Sequence, residues 1–194
     1  MTTRFFYDTE FLEDGKTIEL ISIGIVQDNG SEYYAVNSDM PVDRITRNDW
    51  LLNNVWPHLP LRGYRSTLAT VGGRTQRRTA DAGCLDMTSP LVKPHWVIRN
   101  EVREFLAVEG EGEGDQNELW ADYAAYDHVA LAQLFGPMIR LPEWVPMFTH
   151  DLRQRLSELG NPRVPEQETG NHNALDDARH VKAVFDYIAA GDAA

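Results

Sequence analysis

Hydrophobic positions open the chain as strands and close it as helices. Arg4 to Asp8 (RFFYD) is short, aromatic and strand-like, and Ile18 to Val26 (IELISIGIV) is a β-branched run of the kind that forms a largely buried strand. Asp28-Asn29-Gly30 supplies a turn, after which Glu32 to Val36 (EYYAV) returns as a third strand. Residues 1–37 are therefore expected as an antiparallel β-meander.

Further along, the period changes. Asp49 to Val55 fits a short helix stopped by Pro57, and residues 97–106 place Val97, Ile98, Val102, Phe105 and Leu106 on one helical face. Glu118 to Ala121 (ELWA) reads as a fourth strand. Asp127 to Phe135 reads as a helix ended by Gly136-Pro137, and Pro142 to Phe148 as irregular chain with room for a short fifth strand. Asp151 to Leu159 and then Ala174 to about Ile188 complete the helices. Residues 62–95 differ: they are rich in Arg, Thr, Gly and Ser, include Gly72-Gly73 and show little period, so a basic loop or insertion is expected there. A meander followed by alternating strands and helices predicts the α/β class, a mixed sheet flanked by helices. The 194 residues fit a single domain, with no internal repeat.

Composition narrows the classes. No apolar run approaches the roughly 18 residues of a membrane span, and Met1-Thr2-Thr3-Arg4 has no signal-peptide pattern, so a cytoplasmic protein without a membrane partner is expected. Cys84 is the sole cysteine, which excludes an internal disulfide. The formal net charge of −12 counts mildly against a nucleic-acid partner. Part of that excess sits in the run from Glu109 to Asp115, expected as a solvated loop, while Arg62, Arg65, Arg74, Arg77, Arg78 and Lys93 gather in one stretch.

Three segments carry candidate chemistry. In Asp8-Thr9-Glu10 the two acids, at i and i+2 on a strand, project from one face with Cα atoms roughly 7 Å apart. That spacing suits a metal pair, or simply a polar strand end. Asp127 is in helical phase with Ala130, Leu131 and Leu134, so it is either an inward acid needing a partner or a helix-opening acid favoured by the dipole. Asn173 has the character of an N-cap for the last helix. Asp177 continues the stripe of Val181, Val184 and Ile188, whereas Asp176 falls on the outer side. His172, just before the helix, is a catalytic candidate or a solvated loop histidine.

Taken in order, these segments resemble the DEDDh exonucleases of the ribonuclease-H-like superfamily. Asp8-x-Glu10, Tyr126-Asp127 and His172-x-Ala174-x-x-Asp177 match the three motifs. Phe11 and Leu12 match positions where that superfamily wedges apolar groups against terminal bases. The runs FFYDTEFLEDGKTIELISIGIV, ELWADYAAYDHVALAQL and HNALDDAR resemble one family more narrowly, the adenylate-preferring actinobacterial exoribonucleases called ribonuclease AS. The match departs at 62–95, longer than that family's usual connection, and at Tyr123, where many DEDDh enzymes have Asn.

The resemblance implies a ribonuclease-H-like sheet and single-stranded RNA with a free 3′ end as substrate. It also implies two Mg²⁺ ions (Mn²⁺ as a substitute) on Asp8, Glu10, Asp127 and Asp177, His172 as the base that activates water, and a homodimer. Rival readings are a 3′-5′ exodeoxyribonuclease using the same site, a non-catalytic RNA-binding module, and an acidic cation-binding protein. The last is weakened by the lack of an EF-hand loop. For 62–95 the expectation is a surface loop, with an RNA-contacting arm or a dimer element as alternatives.

Overall fold

A computed structural model describes residues 2–71, 74–107 and 116–192. The acidic run 109–115 and the pair Gly72-Gly73 lie outside those residues.

The meander forms as its pattern predicts, from β1 (Thr2–Glu13), β2 (Ile18–Gln27) and β3 (Glu32–Asn37). β1 runs five residues past the expected Asp8, because Thr9 to Glu13 continue the antiparallel ladder with β2 up to Glu13↔Ile18. α1 (Val42–Arg47) follows, and then α2 (Asp49–Asn54), whose first turn is capped by the Asn48 side chain accepting from the Trp50 and Leu51 amides. The segment expected to be a loop is in fact mostly strand. β4 (Leu61–Arg62) pairs with β7 (Cys84–Leu85), and between them β5 (Arg65–Val71) and β6 (Arg74–Asp81) make an antiparallel hairpin. β8 (Val92–Lys93) then adds to the edge of the main sheet beside β3.

The rest alternates: α3 (His95–Leu106), β9 (Gln116–Ala121), α4 (Ala125–Leu134), β10 (His150–Asp151), α5 (Leu152–Glu158) and α6 (Ala174–Asp192). The expected fifth strand therefore falls at His150–Asp151, just after the irregular 142–148 segment. The main sheet has the order β10-β9-β1-β2-β3-β8. Its β1–β2 and β2–β3 pairs are antiparallel, while β1–β9, β9–β10 and β3–β8 are parallel. This is the mixed, helix-flanked sheet of the α/β class, consistent with a ribonuclease-H-like fold.

Strand alternation divides the core. Phe5 and Tyr7 of β1 join Ile98, Val102 and Leu106 of α3 and Leu131 and Leu134 of α4 on one face. Phe6 turns to the other face, against Leu152 and Leu156 of α5 and Val181, Val184 and Ile188 of α6. Leu12, further along that same face, packs with Ile21, Ile45, Leu51 and Trp56. Burying such side chains contributes about 1.5–3 kcal/mol each. Among the described residues no helix is long and apolar enough to cross a membrane.

Candidate active site

The site forms where β1 outlasts its neighbour. The β1–β9 ladder ends at Phe6↔Trp120, and β9 then turns off through Asp122–Ala124 into α4. Beyond that point the freed edge of β1 meets α4 instead of a strand. The Thr9 amide (2.9 Å) and hydroxyl (2.6 Å) both donate to Asp127 Oδ1. Asp127 is buried in line with Ala130, Leu131 and Leu134, so the costly inward acid has its partners in Thr9. The turn itself is held by Asp151, whose carboxylate accepts from the Ala124 amide (3.0 Å) while capping α5.

Asp177 reaches the same place from α6. Asn173 caps this helix, its side-chain oxygen accepting from the Leu175 and Asp176 amides at 3.2 Å. Both Asp177 oxygens are engaged: Gln167 Nε2 donates to Oδ1 (2.7 Å) and the His172 amide to Oδ2 (2.9 Å). That second bond requires an unusual backbone at His172, with φ of 66°, in the left-handed region a non-glycine residue rarely occupies. The His172 ring packs edge-on against Trp50 of α2, centroids 4.8 Å apart. Asp176 points outward and pairs with Arg179 at 2.7 Å.

A cleft of about 460 Å³ results, lined by Asp8, Glu10, Asp127, Asp177 and His172 together with Phe11, Trp50 and Tyr126. Burial, then Asp127, Glu10, Asp177 and Asp122 in turn, drive the Asp8 carboxyl well above the usual carboxylate range. Glu10 is pushed up to about 8 by burial and by the charges of Asp177 and Asp127. Burial raises Asp127 to about 6 against the lowering effect of its Thr9 hydrogen bonds. Asp177 is raised too, chiefly by burial. Ligand atoms of Glu10, His172 and Asp177 all lie within 4.8 Å of one another, an arrangement able to hold a metal ion.

The deciding match is that of nearly the whole chain: residues 3–189 fit the family described as the 3′-5′ exoribonuclease Rv2179c-like domain. The chain belongs to that family. It is accordingly an enzyme of the 3′-5′ exoribonuclease class. Two curated relatives from Mycobacterium tuberculosis are each 41% identical to it over 189 residues. They are 3′-5′ exoribonuclease MT2234.1 (strain CDC 1551 / Oshkosh) and 3′-5′ exoribonuclease Rv2179c (strain ATCC 25618 / H37Rv). Each alignment covers 97% of this chain and 95% of the relative.

Six of the seven residues singled out by sequence line the cleft of this family member, and one does not. Leu12 is only 5% exposed, and its side chain is part of the core formed with α1 and α2. It shares a β1 face with Glu10 but lies one step beyond the cleft floor, so it offers no surface to a base. Phe11 instead stacks on Tyr126, ring centroids 5.9 Å apart and planes within 12°. Sequence reasoning gave no role to Thr9, Trp50, Gln167 or Tyr126. Thr9 lies inside the first motif and Tyr126 inside the second, whereas Trp50 and Gln167 belong to none of the three. Glu13 and Asp122 also line the cleft, and the Arg153 guanidinium pairs with Asp122 at 2.6 Å.

Proposed function

We propose that this exoribonuclease removes nucleotides one at a time from the 3′ end of single-stranded RNA, with adenylate preferred. Asp8, Glu10, Asp127 and Asp177 would hold two divalent cations, and His172 would act as general base. The observation that carries this reading is the crowding of four carboxyls, all raised in pKa, on one cleft within reach of an imidazole. Such a cluster is self-repelling when ionised, and an all-oxygen acid set suits Mg²⁺, with Mn²⁺ as a substitute. Bound there, the cations supply positive charge that offsets the acids and the negative charge accumulating on the phosphate and the departing 3′ oxygen.

The chain's own groups do the rest. Thr9 and Gln167 fix the orientation of the two helix-borne acids, so no reorganisation is needed when substrate arrives. His172, backed by Trp50, accepts the proton from the attacking water. The Phe11–Tyr126 pair, with Tyr126 54% exposed, offers an aromatic face to a base. The adenylate preference and the homodimer rest on the likeness of the three motif runs to ribonuclease AS alone.

The test is a time course on 5′-labelled oligo(A) with Mg²⁺, beside oligo(U), oligo(dA), an EDTA lane and Asp127→Ala. A one-nucleotide ladder from the 3′ end, fastest on oligo(A) and lost with EDTA and with the variant, is expected. A ladder strongest on oligo(dA) would move the substrate to DNA, and metal-independent cleavage would remove the cations. Sedimentation velocity checks the homodimer.

A further inference from the structure

The basic stretch that looked like a loop is an ordered hairpin fastened beside the cleft. Thr79 of β6 makes the attachment: its amide donates to Asn53 Oδ1 and its hydroxyl to the Leu52 carbonyl, both at 2.8 Å. Leu52 and Asn53 belong to α2, the same six-residue helix that presents Trp50 to the cleft. Trp50 and Asn53 are three residues apart, about 4.5 Å of helix rise, so the hairpin is fastened within one helical turn of a residue that lines the cleft. Trp56, following α2, adds a further tie through its indole N–H to the Ala82 carbonyl at 2.7 Å.

Ion pairing separates the cations of this region. Arg62 is paired with Asp86 (2.9 Å), Arg65 with Asp81 (2.9 Å) and Lys93 with Glu101 (2.6 Å), so their charges are locally balanced. Among the described residues Arg77 and Arg78 have no carboxylate partner. Arg77 lies two residues before Thr79 and therefore shares the strand face that turns toward α2, whereas Arg78 is on the reverse face. Directly across the ladder from Arg77 is Leu68, 75% exposed. His58, in the turn after α2, has its pKa lowered first by burial, then by the charge of His172 and, more weakly, of Arg77, so one imidazole is within electrostatic reach of both cleft and hairpin.

We propose that the β5–β6 hairpin is an arm that holds the phosphate backbone of single-stranded RNA upstream of the nucleotide in the cleft, with Arg77 as its principal contact. On a chain of net charge −12 whose cleft is lined by acids, an unpaired guanidinium on a hairpin fastened to the helix that presents Trp50 to the cleft is the feature that matches a polyanion. Exposed Leu68 beside it gives a base an apolar surface while the cation takes the phosphate. The arm rests on the exoribonuclease reading above and adds to it a substrate path and a length requirement.

The test compares Arg77→Gln and Arg78→Gln with the wild-type enzyme on a 3′-terminal dinucleotide and on an RNA of about twelve nucleotides. Both side chains are unpaired, so the fold is retained, which melting curves check. For Arg77→Gln, KM on the longer RNA rises about three- to tenfold and the slope of log affinity against log salt shrinks by about 0.7, the amount expected for one phosphate contact on a single strand. The dinucleotide, whose single phosphodiester is the scissile one, has no upstream phosphate for Arg77 to hold and keeps its KM, and Arg78→Gln has the smaller effect. Equal effects on both substrates, or none on either, overturn the arm. If the wild-type enzyme cleaves neither, the reading beneath has failed. The arm is then judged separately by fluorescence anisotropy of labelled RNA, where identical affinities of wild type and Arg77→Gln overturn it.

Discussion

A β-carbon placed on Gly24 would stand 2.4 Å from the carbonyl carbon and oxygen of Ala174 and from the Leu175 Cα. Gly24 is the register partner of Asp8, and Ala174 is the first residue of the helix that carries Asp177. The absence of a side chain at Gly24 thus lets α6 sit directly on the strands, which brings Asp177 over Asp8 and Glu10. Gly24→Ala must push the helix away. We expect it to cost about 1–3 kcal/mol in urea denaturation, the usual range for overpacking, and to depress turnover more than RNA affinity. Wild-type stability and turnover in this variant would contradict the close approach.

His172→Ala removes the imidazole while leaving the acids in place. Loss of a general base slows hydrolysis about 10²–10⁴-fold, with RNA binding largely retained. Single-turnover rates and anisotropy in parallel check both halves. Unchanged turnover would take His172 out of the mechanism.

Thr9→Val keeps the shape of the side chain but deletes the 2.6 Å hydroxyl bond to Asp127. That bond holds the Asp127 pKa down against burial. A hydrogen bond to a charged group contributes about 1.5–3 kcal/mol, so the acid limb of the pH–rate profile should move up by about one to two units. A profile that superimposes on the wild type would mean that Thr9 does not tune this acid.

Stability of the metal-free protein should fall as pH rises. Glu10 titrates at about 8 in the fold against 4.5 ordinarily, and Asp127 at about 6 against 3.8. Between those values the folded state binds more protons than the unfolded one, so their contribution is whole below about pH 4 and is lost by about pH 8. Millimolar Mg²⁺ should restore Tm, and by more at about pH 8 than at about pH 5. Melting curves with EDTA and with Mg²⁺ read this directly, and a metal-free Tm that stays flat or climbs would count against the crowded acids.

Asp177→Ala should lower activity more than about 100-fold, whereas Asp176→Ala, which loses only an exposed pair with Arg179, should stay within about threefold. Rates for the two variants at saturating Mg²⁺ decide it. Equal losses would contradict the assignment of Asp177 to the inward face of α6 and Asp176 to the outward one.

Much of this was written locally in the chain. β-branched runs and the Asp28-Asn29-Gly30 turn determine the meander, and helical periodicity determines α3, α4 and α6, because each pattern is complete within one element. Strand alternation puts Asp8 and Glu10 on one face, and the Asn173 cap sets the phase that turns Asp177 inward and Asp176 outward. The hairpin at 65–81 escaped notice for the converse reason. None of its residues whose burial is described is buried, so no buried stripe imposes a period of two, and only pairing across the ladder makes it a strand. Leu12 followed Phe11 in sequence but parted from it in space, since alternation sends one to the core and the other to the cleft.

Tertiary structure alone brought Thr9 to Asp127, Trp50 to His172 and Gln167 to Asp177, contacts whose partners lie on different elements. It alone raised the carboxyl pKa values. A pKa depends on burial and on through-space distance to other charges, and neither quantity is a property of residues read one after another.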